Sequence, residues 1–427
     1  LPGEEKKRTV APVQFLPGGR HVRVAHDPSP VTHLLSNGRY TVMLTSAGSG
    51  YSRWNDQAVT RWREDTTLDN WGSYLYLKDV KTGRIWSVGQ QPCGEEADSY
   101  DVIFKEDRAE FSRRDGKIVT NMVVLVSAED DAELRQLAVS NTGSQTTEID
   151  VTSYAELALF PQAADLAHPA FSKLFVQTEY VPELQAIIAT RRRRNPTDAE
   201  IWAAHLVVTP GTLEIETNRA HFLGRGGDVR NADAIRRTTP LTSSTGTVLD
   251  PVFSARCRLV VNPGSTERVS FWTMVASTRE ALMDAIERHR DAAALDRAVT
   301  LAWTQAQVQL RHLNIRPTDA DLFQRLAAYL LYASPTLRAA PDRIQRGIAA
   351  QQELWGQGIS GDLPVLLLVI GETEDFELAR LVLRAHESFR LPLLLVDLII
   401  INEHATPYVS ELLPSLEATV RPPPRAG

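Results

Sequence analysis

The sequence predicts an α+β multidomain protein in which a large antiparallel β-sandwich is followed by helices. At 427 residues the chain is too long for one hydrophobic core, which indicates two or three domains. From about residue 31 to 276, short runs alternate apolar and polar residues with the period of a β-strand. From Ser277 onward the apolar spacing is that of a helix.

Thirteen runs carry the strand pattern. They are residues 40–45, 73–78, 85–88, 100–104, 109–113, 118–126, 134–139, 148–158, 174–181, 186–190, 202–208, 252–261 and 267–276. Turn residues separate them, and Arg114-Asp115-Gly116-Lys117 predicts a hairpin with glycine where a positive φ is needed. So many strands without intervening helices predict a large sandwich.

The helical part begins with Ser277-Thr278-Arg279-Glu280, which has the spacing of a capping box. Helices are expected from there to about His289, then to Leu313, and again after Pro317. Further helices are predicted over residues 363–370, 373–386, 393–401 and 407–420. Paired helices with apolar faces pack into a bundle or an α/α toroid.

These patterns divide the chain into four parts. Residues 1–30 contain five prolines and read as a linker segment, 31–276 as the sheets, 277–316 as a helical linker, and 317–427 as a short, partial helical domain.

Composition narrows the function classes. A formal net charge of −7 argues against a general nucleic-acid binder. Cys93 and Cys257 form neither a disulfide framework nor a metal-ligand spacing, which favours a reducing compartment. LPGEEKKRTV lacks the apolar region of a signal peptide, and the longest apolar runs are too short to span a membrane. We therefore expect a cytoplasmic location.

The stretch from His33 to Asp79 concentrates tryptophan, tyrosine and arginine. Flat aromatic rings cover the apolar faces of sugars, and arginine forks bind hydroxyls, so Arg61, Trp62 and Arg63 are predicted substrate-binding residues. The alternative is that these rings belong to the core and the arginines pair with nearby carboxylates.

A second stretch, Gln351-Gln-Glu-Leu-Trp-Gly-Gln-Gly-Ile-Ser-Gly-Asp362, combines glycines with an aromatic ring and a carboxylate. Asp362 is the predicted general acid, because a desolvated carboxyl beside Trp355 would keep its proton near neutral pH, and Trp355 is a predicted substrate contact. The alternative is that Asp362 caps a helix that continues through Pro364. A hydrolase would need a second carboxylate, for which Glu353, Asp397 and Glu403 are candidates without a decisive spacing, and a phosphorylase would use phosphate instead.

The scattered histidines form no metal-ligand motif, so the sequence predicts no metal site. No cofactor is expected, apart from inorganic phosphate if the reaction is phosphorolytic.

Several segments resemble a known family. LLSNGRYTVMLTSAGSGYSRW, AVTRWREDTTLDNWGSYLYLKD, SYAELAL, HPAFSKLFVQTEY, LWGQGISGDLP and VDLIIINE are similar to the phosphorylase-related region of cyclic β-1,2-glucan synthases. They are more distantly similar to cellobiose and chitobiose phosphorylases, once classed as family 36 glycosyltransferases. The resemblance extends over nearly the whole chain from about residue 31.

This resemblance implies a β-supersandwich, a helical linker and the first helices of an (α/α)6-type barrel. By position, Asp362 matches the family's general acid. The family has an arginine and a further aspartate where this chain has Gly358-Ile359-Ser360-Gly361, so the isolated chain is expected to lack a complete active site.

The leading hypothesis is therefore a carbohydrate-binding or carbohydrate-processing module of a cyclic β-1,2-glucan synthase, with little independent activity. The first alternative is an active inverting glycoside phosphorylase or transglycosylase on β-glucans that uses Asp362 as acid. The second is a structural scaffold or interface domain. The expected partners are a β-glucan oligosaccharide or cyclic glucan, other domains of a longer parent chain, and a second copy in a homodimer.

Overall fold

The computed structural model describes residues 15–16, 19–25, 31–193, 195, 198–332, 334, 337–371 and 375–403. Within them, two large antiparallel sheets come first and helices follow, as the fold class predicted. The strands are β1 (Phe15–Leu16), β2 (Gly19–Val22), β3 (Thr32–Ser36), β4 (Tyr40–Thr45), β5 (Gly50–Trp54), β6 (Gln57–Thr60), β7 (Tyr74–Asp79), β8 (Ile85–Ser87), β9 (Ser99–Phe104), β10 (Ala109–Asp115), β11 (Ile118–Val126), β12 (Ala132–Asn141), β13 (Thr147–Pro161), β14 (Val176–Val181), β15 (Ala186–Arg191), β16 (Trp202–Val208), β17 (Glu214–Asn218), β18 (Pro251–Val261), β19 (Thr266–Ala276), β20 (Val365–Ile370) and β21 (Asp397–Asn402).

The helices are α1 (Gln162–Ala167), α2 (Pro169–Ser172), α3 (Arg219–Leu223), α4 (Asp233–Arg236), α5 (Arg279–His289), α6 (Ala292–His312), α7 (Pro317–Leu331), α8 (Pro341–Arg346), α9 (Gln352–Trp355) and α10 (Asp375–Arg390). Short 3-10 turns occupy Lys173–Phe175 and Pro182–Leu184.

The first sheet has ten strands in the order β1-β2-β9-β10-β11-β12-β19-β16-β15-β14. Its β10–β11 hairpin closes where Asp115 pairs with Ile118, and Gly116 adopts a positive φ of 61°. This confirms the turn predicted at these residues. Residues 19–22, expected in a linker segment, instead extend this sheet as β2, while most of the remaining residues of 1–30 lie outside the described part of the chain.

The second sheet has nine strands and is organised on β13. One edge of β13 pairs with β18, whereas the other pairs with β7 along Ile149–Tyr154 and with β6 along Leu157–Pro161. The remaining strands follow in the order β6-β5-β4-β3, with β17 beyond β18 and β8 beyond β7.

Gly50, where β5 begins, shows why one of the recurring glycines cannot be replaced. Its φ is 145°, and a Cβ atom there would lie 1.8 Å from the Met43 carbonyl oxygen of β4. Only glycine allows this approach of two strands, so the residue is required by the backbone.

The main core lies between the two sheets. Leu44, Val151 and Phe253 of the second sheet pack with Phe111 and Phe271 of the first, and all five side chains are buried. Alternating residues point inward from each strand, as expected for sheets packed face to face.

Helices cover both outer faces of this sandwich. On the first sheet, Leu282 and Ile286 of α5 and Ala302 of α6 bury Trp272 and Met274. Against the second sheet, a further set of buried residues joins β3, β4 and β5 to α7 and α10; it includes Leu34, Met43, Tyr51, Phe323, Ala327 and Phe389. The order is therefore helices, sheet, sheet, helices.

The start of α5 differs from the prediction by one residue. Thr278, rather than Ser277, is the N-cap, and its hydroxyl accepts a hydrogen bond from the Ala281 amide at 3.1 Å. The following helix is capped by Asp291, whose carboxylate accepts from the Ala293 amide.

Two predicted helices are strands. Residues 363–370 and 393–401 contribute β20 and β21, which pair in parallel with Val365 opposite Asp397 and are connected through α10. Both apolar runs are only six residues long as strands, and a short apolar run does not by its periodicity distinguish a buried strand from a helix. The predicted helix over 373–386 corresponds to α10, and the one over 407–420 lies outside the described residues.

None of the described helices is both long and apolar enough to cross a lipid bilayer.

Candidate functional site

Arg61 follows β6, where its backbone amide donates to the Glu156 carbonyl of β13 at 2.8 Å. The side chain is only 3% exposed. Its guanidinium donates twice to Asp165, with both N–O distances 3.0 Å. It also lies 3.6 Å from the Glu156 carboxylate and 3.5 Å from that of Asp250. The fork expected to face a sugar is thus engaged by carboxylates of the same chain.

The three carboxylates around Arg61 have further cationic partners. Arg219 Nε lies 2.7 Å from Glu156, and Lys173 Nζ lies 2.7 Å from Asp250. Arg61, Arg219 and Lys173 therefore form ion pairs with these carboxylates. Burial opposes the charged state of Arg61, yet the hydrogen bonds and charges of its carboxylate partners outweigh it and raise the pKa of the guanidinium. The pKa of Asp165 is lowered, because the bonds from Arg61 and Ser172 outweigh its own burial.

Trp62 is half-buried where the second sheet meets α7. Its ring makes edge contacts with Tyr51 of β5, at 5.3 Å between centroids, and with Tyr332, which follows α7, at 5.6 Å. Both contacts are near-perpendicular or tilted, a favourable arrangement for aromatic pairs. The ring thereby joins the sandwich to the helical part of the chain.

Asp69 extends this joint. Its carboxylate accepts hydrogen bonds from the Tyr332 hydroxyl at 2.9 Å and from the Thr45 hydroxyl at 3.0 Å. Burial raises the pKa of Asp69 to about 6, against the opposing influence of these hydrogen bonds. No motif in the sequence marks this residue, since Tyr332 is more than 260 positions away.

Arg63 is half-buried, with its guanidinium carbon 5.5 Å from the centre of the Trp71 ring. Among the described residues, Arg63 Nε and Arg53 Nε have no hydrogen-bond partner. A cavity of about 10 Å³ lies beside Trp62 and Arg53. That is room for about one water molecule, so no sugar ring fits there in this conformation.

Trp355 is the last residue of α9, and Asp362 lies in the loop that connects α9 to β20. Gln351 Nε2 donates to the Ser360 carbonyl at 2.9 Å and to the Asp362 carboxylate at 3.1 Å, and the Trp355 indole donates to the same carbonyl at 3.2 Å. The loop turns at Gly358 and Gly361, both with positive φ. Hydrogen bonds of Gln351 and Ser360 thus hold the Trp355 ring and the Asp362 carboxylate in one compact turn.

This loop is open to solvent. Trp355 is 59% exposed and Asp362 is also exposed, so the desolvation that the general-acid hypothesis requires is absent in this conformation. Asp362 precedes a strand, which removes the alternative explanation that it caps a helix. Asp397, one of the candidate second carboxylates, begins the paired strand β21 opposite Val365.

The structure therefore brings Trp355 next to Asp362, and Arg61 next to Trp62 and Arg63, as two separate groups. In the described part of the chain, the hydrogen bonds of Trp355 and Asp362 go to residues of their own loop, including Gln351 and Ser360. The predicted roles of all five residues stay predictions.

No group of three His, Cys, Asp or Glu side chains in the described residues is arranged to hold a metal ion.

Two antiparallel sheets of nine and ten strands, packed face to face and flanked by helices, define a β-supersandwich protein. Residues 20–292 match the family model described as "Glycosyl hydrolase 94, supersandwich domain". The chain belongs to this family.

Individual relatives agree with that assignment. The chain is 39% identical over 404 residues to the cyclic beta-(1,2)-glucan synthase NdvB of Rhizobium meliloti (strain 1021), covering 93% of this chain and 14% of that protein. It is 24% identical over 314 residues to the N,N'-diacetylchitobiose phosphorylase of Vibrio furnissii, covering 72% and 38% respectively. The chain thus spans a small part of each relative's length.

A solved structure titled as a putative kojibiose phosphorylase from human microbiome aligns with 75% of this chain and 41% of its own, at 8% identity and a TM-score of 0.43.

Proposed function

We propose that this chain is a carbohydrate-binding module of a larger polypeptide of the cyclic β-1,2-glucan synthase type, with little turnover of its own. The observation that carries the proposal is the openness of the loop around Trp355 and Asp362: an exposed ring and an exposed carboxylate suit the surface recognition of a sugar chain, but not a desolvated proton donor. The 39% identity to a cyclic β-1,2-glucan synthase supports the choice of glucan.

The proposed domains are an entry segment at residues 1–30, the supersandwich at 31–276, a helical linker at 277–316 and a partial helical domain at 317–427. Strand β2 extends the first sheet into the entry segment, and strands β20 and β21 lie within the helical domain. Other domains of a parent chain are proposed partners, supported by the 14% of the related synthase that this chain spans.

Calorimetric titration with linear and cyclic β-1,2-glucans tests the binding proposal. We expect saturable binding by the native chain and at least tenfold weaker binding by Trp355→Ala, because the exposed ring supplies the stacking surface. Leu337→Ala, which removes another exposed apolar side chain, is the matched control and should bind like the native chain. Absence of binding to either glucan would overturn the proposal.

The second candidate is an inverting phosphorylase. The observation favouring it is that Asp362 is accessible in a glycine-flanked loop beside an aromatic ring. In this reaction a phosphate oxygen attacks the anomeric carbon, the glycosidic C–O bond breaks, and the Asp362 carboxyl gives its proton to the departing oxygen. Phosphate-dependent release of glucose 1-phosphate from β-1,2-gluco-oligosaccharides, lost in Asp362→Asn, is the expected result.

The same assay separates the two candidates. A native chain that binds glucan but releases no glucose 1-phosphate supports the binding module. Release that persists in Asp362→Asn contradicts the role of this carboxylate as acid.

A third candidate is a scaffold that packs against another domain or a second copy. The exposed apolar side chains of Val365, Leu367 and Val369 on one face of β20 favour it. Light scattering after size exclusion tests the homodimer: a mass of two chains that falls to one in Leu367→Asp would support it.

A further inference from the structure

A cleft of about 890 Å³ lies between the sandwich and the helical part, away from the loop around Trp355 and Asp362. One wall comes from β2, β3 and the turn after β9. The opposite wall comes from α6, α7 and the end of α10. Its volume falls in the range of sites that hold an organic ligand.

The cleft wall contains buried polar groups that the described residues leave unpaired. Arg20, 4% exposed, donates to the Thr32 carbonyl through Nη2, while its Nε lies 3.4 Å from an Asp321 oxygen without the geometry of a hydrogen bond. The other oxygen of Asp321 has no hydrogen-bond partner among these residues. A guanidinium and a carboxylate therefore stand side by side with bonding capacity left over.

His33 adds a third group of this kind. One ring nitrogen is 2.7 Å from the Lys105 carbonyl, and the other, Nδ1, has no partner in the described part of the chain. Burial and the neighbouring Arg20 charge lower the pKa of His33 to about 3, so the ring is neutral and one nitrogen can accept a hydrogen bond. Native proteins rarely leave several buried polar atoms unpaired in one place, which points to a polar occupant.

The charges around the cleft balance. Among the described residues, three basic and three acidic side chains line it: Arg20, Lys105, Arg108, Glu106, Asp107 and Asp321. Two of the cations are paired locally, Lys105 with Glu110 at 2.7 Å and Arg108 with Asp107. A phosphate or other anion would require an excess of positive charge, so the occupant is expected to be neutral.

The opposite wall carries an aromatic surface. Trp303 of α6 lines the cleft and is 53% exposed, so a broad part of its ring is free to contact a ligand. Gln309, six residues further along the same helix, also lines it. A sugar is apolar on its ring faces and polar at its edges. A cleft with a flat apolar ring on one wall and hydrogen-bond donors and acceptors on the other is therefore suited to bind one.

We infer that this cleft is a second saccharide-binding site, which takes a neutral oligosaccharide with one sugar ring stacked on Trp303. Its hydroxyl groups bond to Arg20, Asp321 and His33, whose unpaired atoms are covered in this conformation and become accessible when the sugar binds. The inference goes beyond the proposed function, because it includes neither Trp355 nor Asp362 and does not depend on the β-1,2 linkage.

The test compares two exposed tryptophans in the full chain. Linear β-1,2-, β-1,3- and β-1,4-gluco-oligosaccharides are titrated by calorimetry into the native chain, Trp303→Ala and Trp355→Ala. We expect at least one sugar to bind the native chain and Trp355→Ala in the cleft, and to bind Trp303→Ala at least tenfold more weakly. Asp321→Asn, which keeps the side-chain shape, should weaken the same binding, and unchanged melting temperatures would exclude misfolding as the cause.

Hydrogen exchange locates the bound sugar and keeps the two sites apart. Protection of peptides from α6 and α7 that is lost in Trp303→Ala supports the cleft, even if no β-1,2-glucan binds and the proposed function fails. Binding that depends on Trp355 alone, with no effect of Trp303→Ala for any sugar, would overturn the cleft and leave the proposed function intact. A dimer that dissociates in Trp303→Ala would also overturn it, because the cleft would then be an interface between copies.

Discussion

The two stretches that the sequence predicts to contact sugar have opposite surroundings in the fold. Arg61 and Trp62 are held by partners from distant parts of the chain: carboxylates around the guanidinium, tyrosines around the ring. In the part of the chain that the structure describes, the side chains of Trp355 and Asp362 bond only to the nearby residues Ser360 and Gln351, and both face solvent. The same residue types therefore serve the structure in the first stretch and remain available to a ligand in the second.

This difference teaches how to weigh an aromatic and arginine-rich motif. A charged fork whose hydrogen bonds are already made inside the protein gains little from a sugar, since binding would first have to break them. An exposed aromatic ring can stack on a sugar without first breaking contacts inside the protein. Substitutions should therefore affect stability in the first stretch and binding in the second.

The largest expected effect is that of Arg61→Ala. Removing the guanidinium takes away the cation that Asp165 pairs with, while Glu156 and Asp250 keep Arg219 and Lys173, and breaking such a buried pair costs about 3–5 kcal/mol. Urea unfolding curves recorded by circular dichroism measure this loss of stability.

Arg63→Ala is the matched control for that variant. Its guanidinium lies over the Trp71 ring, an interaction worth about 0.5–1 kcal/mol at a partly exposed position. Equal losses in the two variants would contradict the structural role assigned to Arg61.

Trp62→Ala should cost about 2–3 kcal/mol, less than a fully buried tryptophan, because the ring is half-buried between Tyr51 and Tyr332. Trp355→Ala should stay within about 0.5 kcal/mol of the native chain, as exposed substitutions usually do. Unfolding curves of both variants, recorded under one set of conditions, make the comparison. A destabilised Trp355→Ala would mean that the loop is a structural element after all.

Asp69 makes the stability of the contact between the sandwich and the helices depend on pH. Its pKa is about 6 in the folded chain against an ordinary value of 3.8, so the folded state holds the proton more tightly. The contribution of Asp69 to the free energy of unfolding is therefore greatest below about pH 4. It falls between about pH 4 and 6 and changes no further above pH 6. The expected loss is about 3 kcal/mol, since each tenfold difference in proton affinity between the folded and unfolded chain corresponds to about 1.4 kcal/mol.

Asp69→Asn should remove that slope, because the amide stays neutral and its oxygen still accepts from Tyr332. Asparagine also tolerates the positive φ of 42° at this position. Unfolding free energies at pH 4, 5, 6 and 7 measure the slope. Asp342→Asn, at an exposed carboxylate of α8, should keep it, and persistence of the slope in Asp69→Asn would assign it to another group.

Much of the fold follows from local pattern. The strand runs from β10 to β13 were predicted within a few residues, since period-two alternation and a glycine turn are encoded in neighbouring residues. The C-terminal strands β20 and β21 were missed, because an apolar run flanked by polar residues reads as a helix or a strand alike. The parallel pairing that decides the matter joins residues more than thirty positions apart.

The candidate sites depend even more on distant partners. The sequence shows that an arginine and a tryptophan stand at positions 61 and 62. The residues that surround them, Asp165, Asp250 and Tyr332, lie 100 to 270 positions further on. Arg20 and Asp321, which line the cleft between the sandwich and the helices, carry no motif at all. A single sequence specifies which side chains exist, whereas their burial is set by how the two sheets and the helices pack.

The smallest expected effect is that of Asp362→Asn on stability, within about 0.5 kcal/mol, since the side chain is exposed and accepts one hydrogen bond from Gln351 at 3.1 Å. Urea unfolding of this variant beside Asp165→Asn makes the contrast sharp, because the buried carboxylate accepts two bonds from Arg61 and its neutralisation should cost several times more. An Asp362→Asn chain as unstable as Asp165→Asn would contradict the open loop. If it is as stable as the native chain, any loss of phosphorolysis in this variant reports chemistry at the carboxylate and not unfolding.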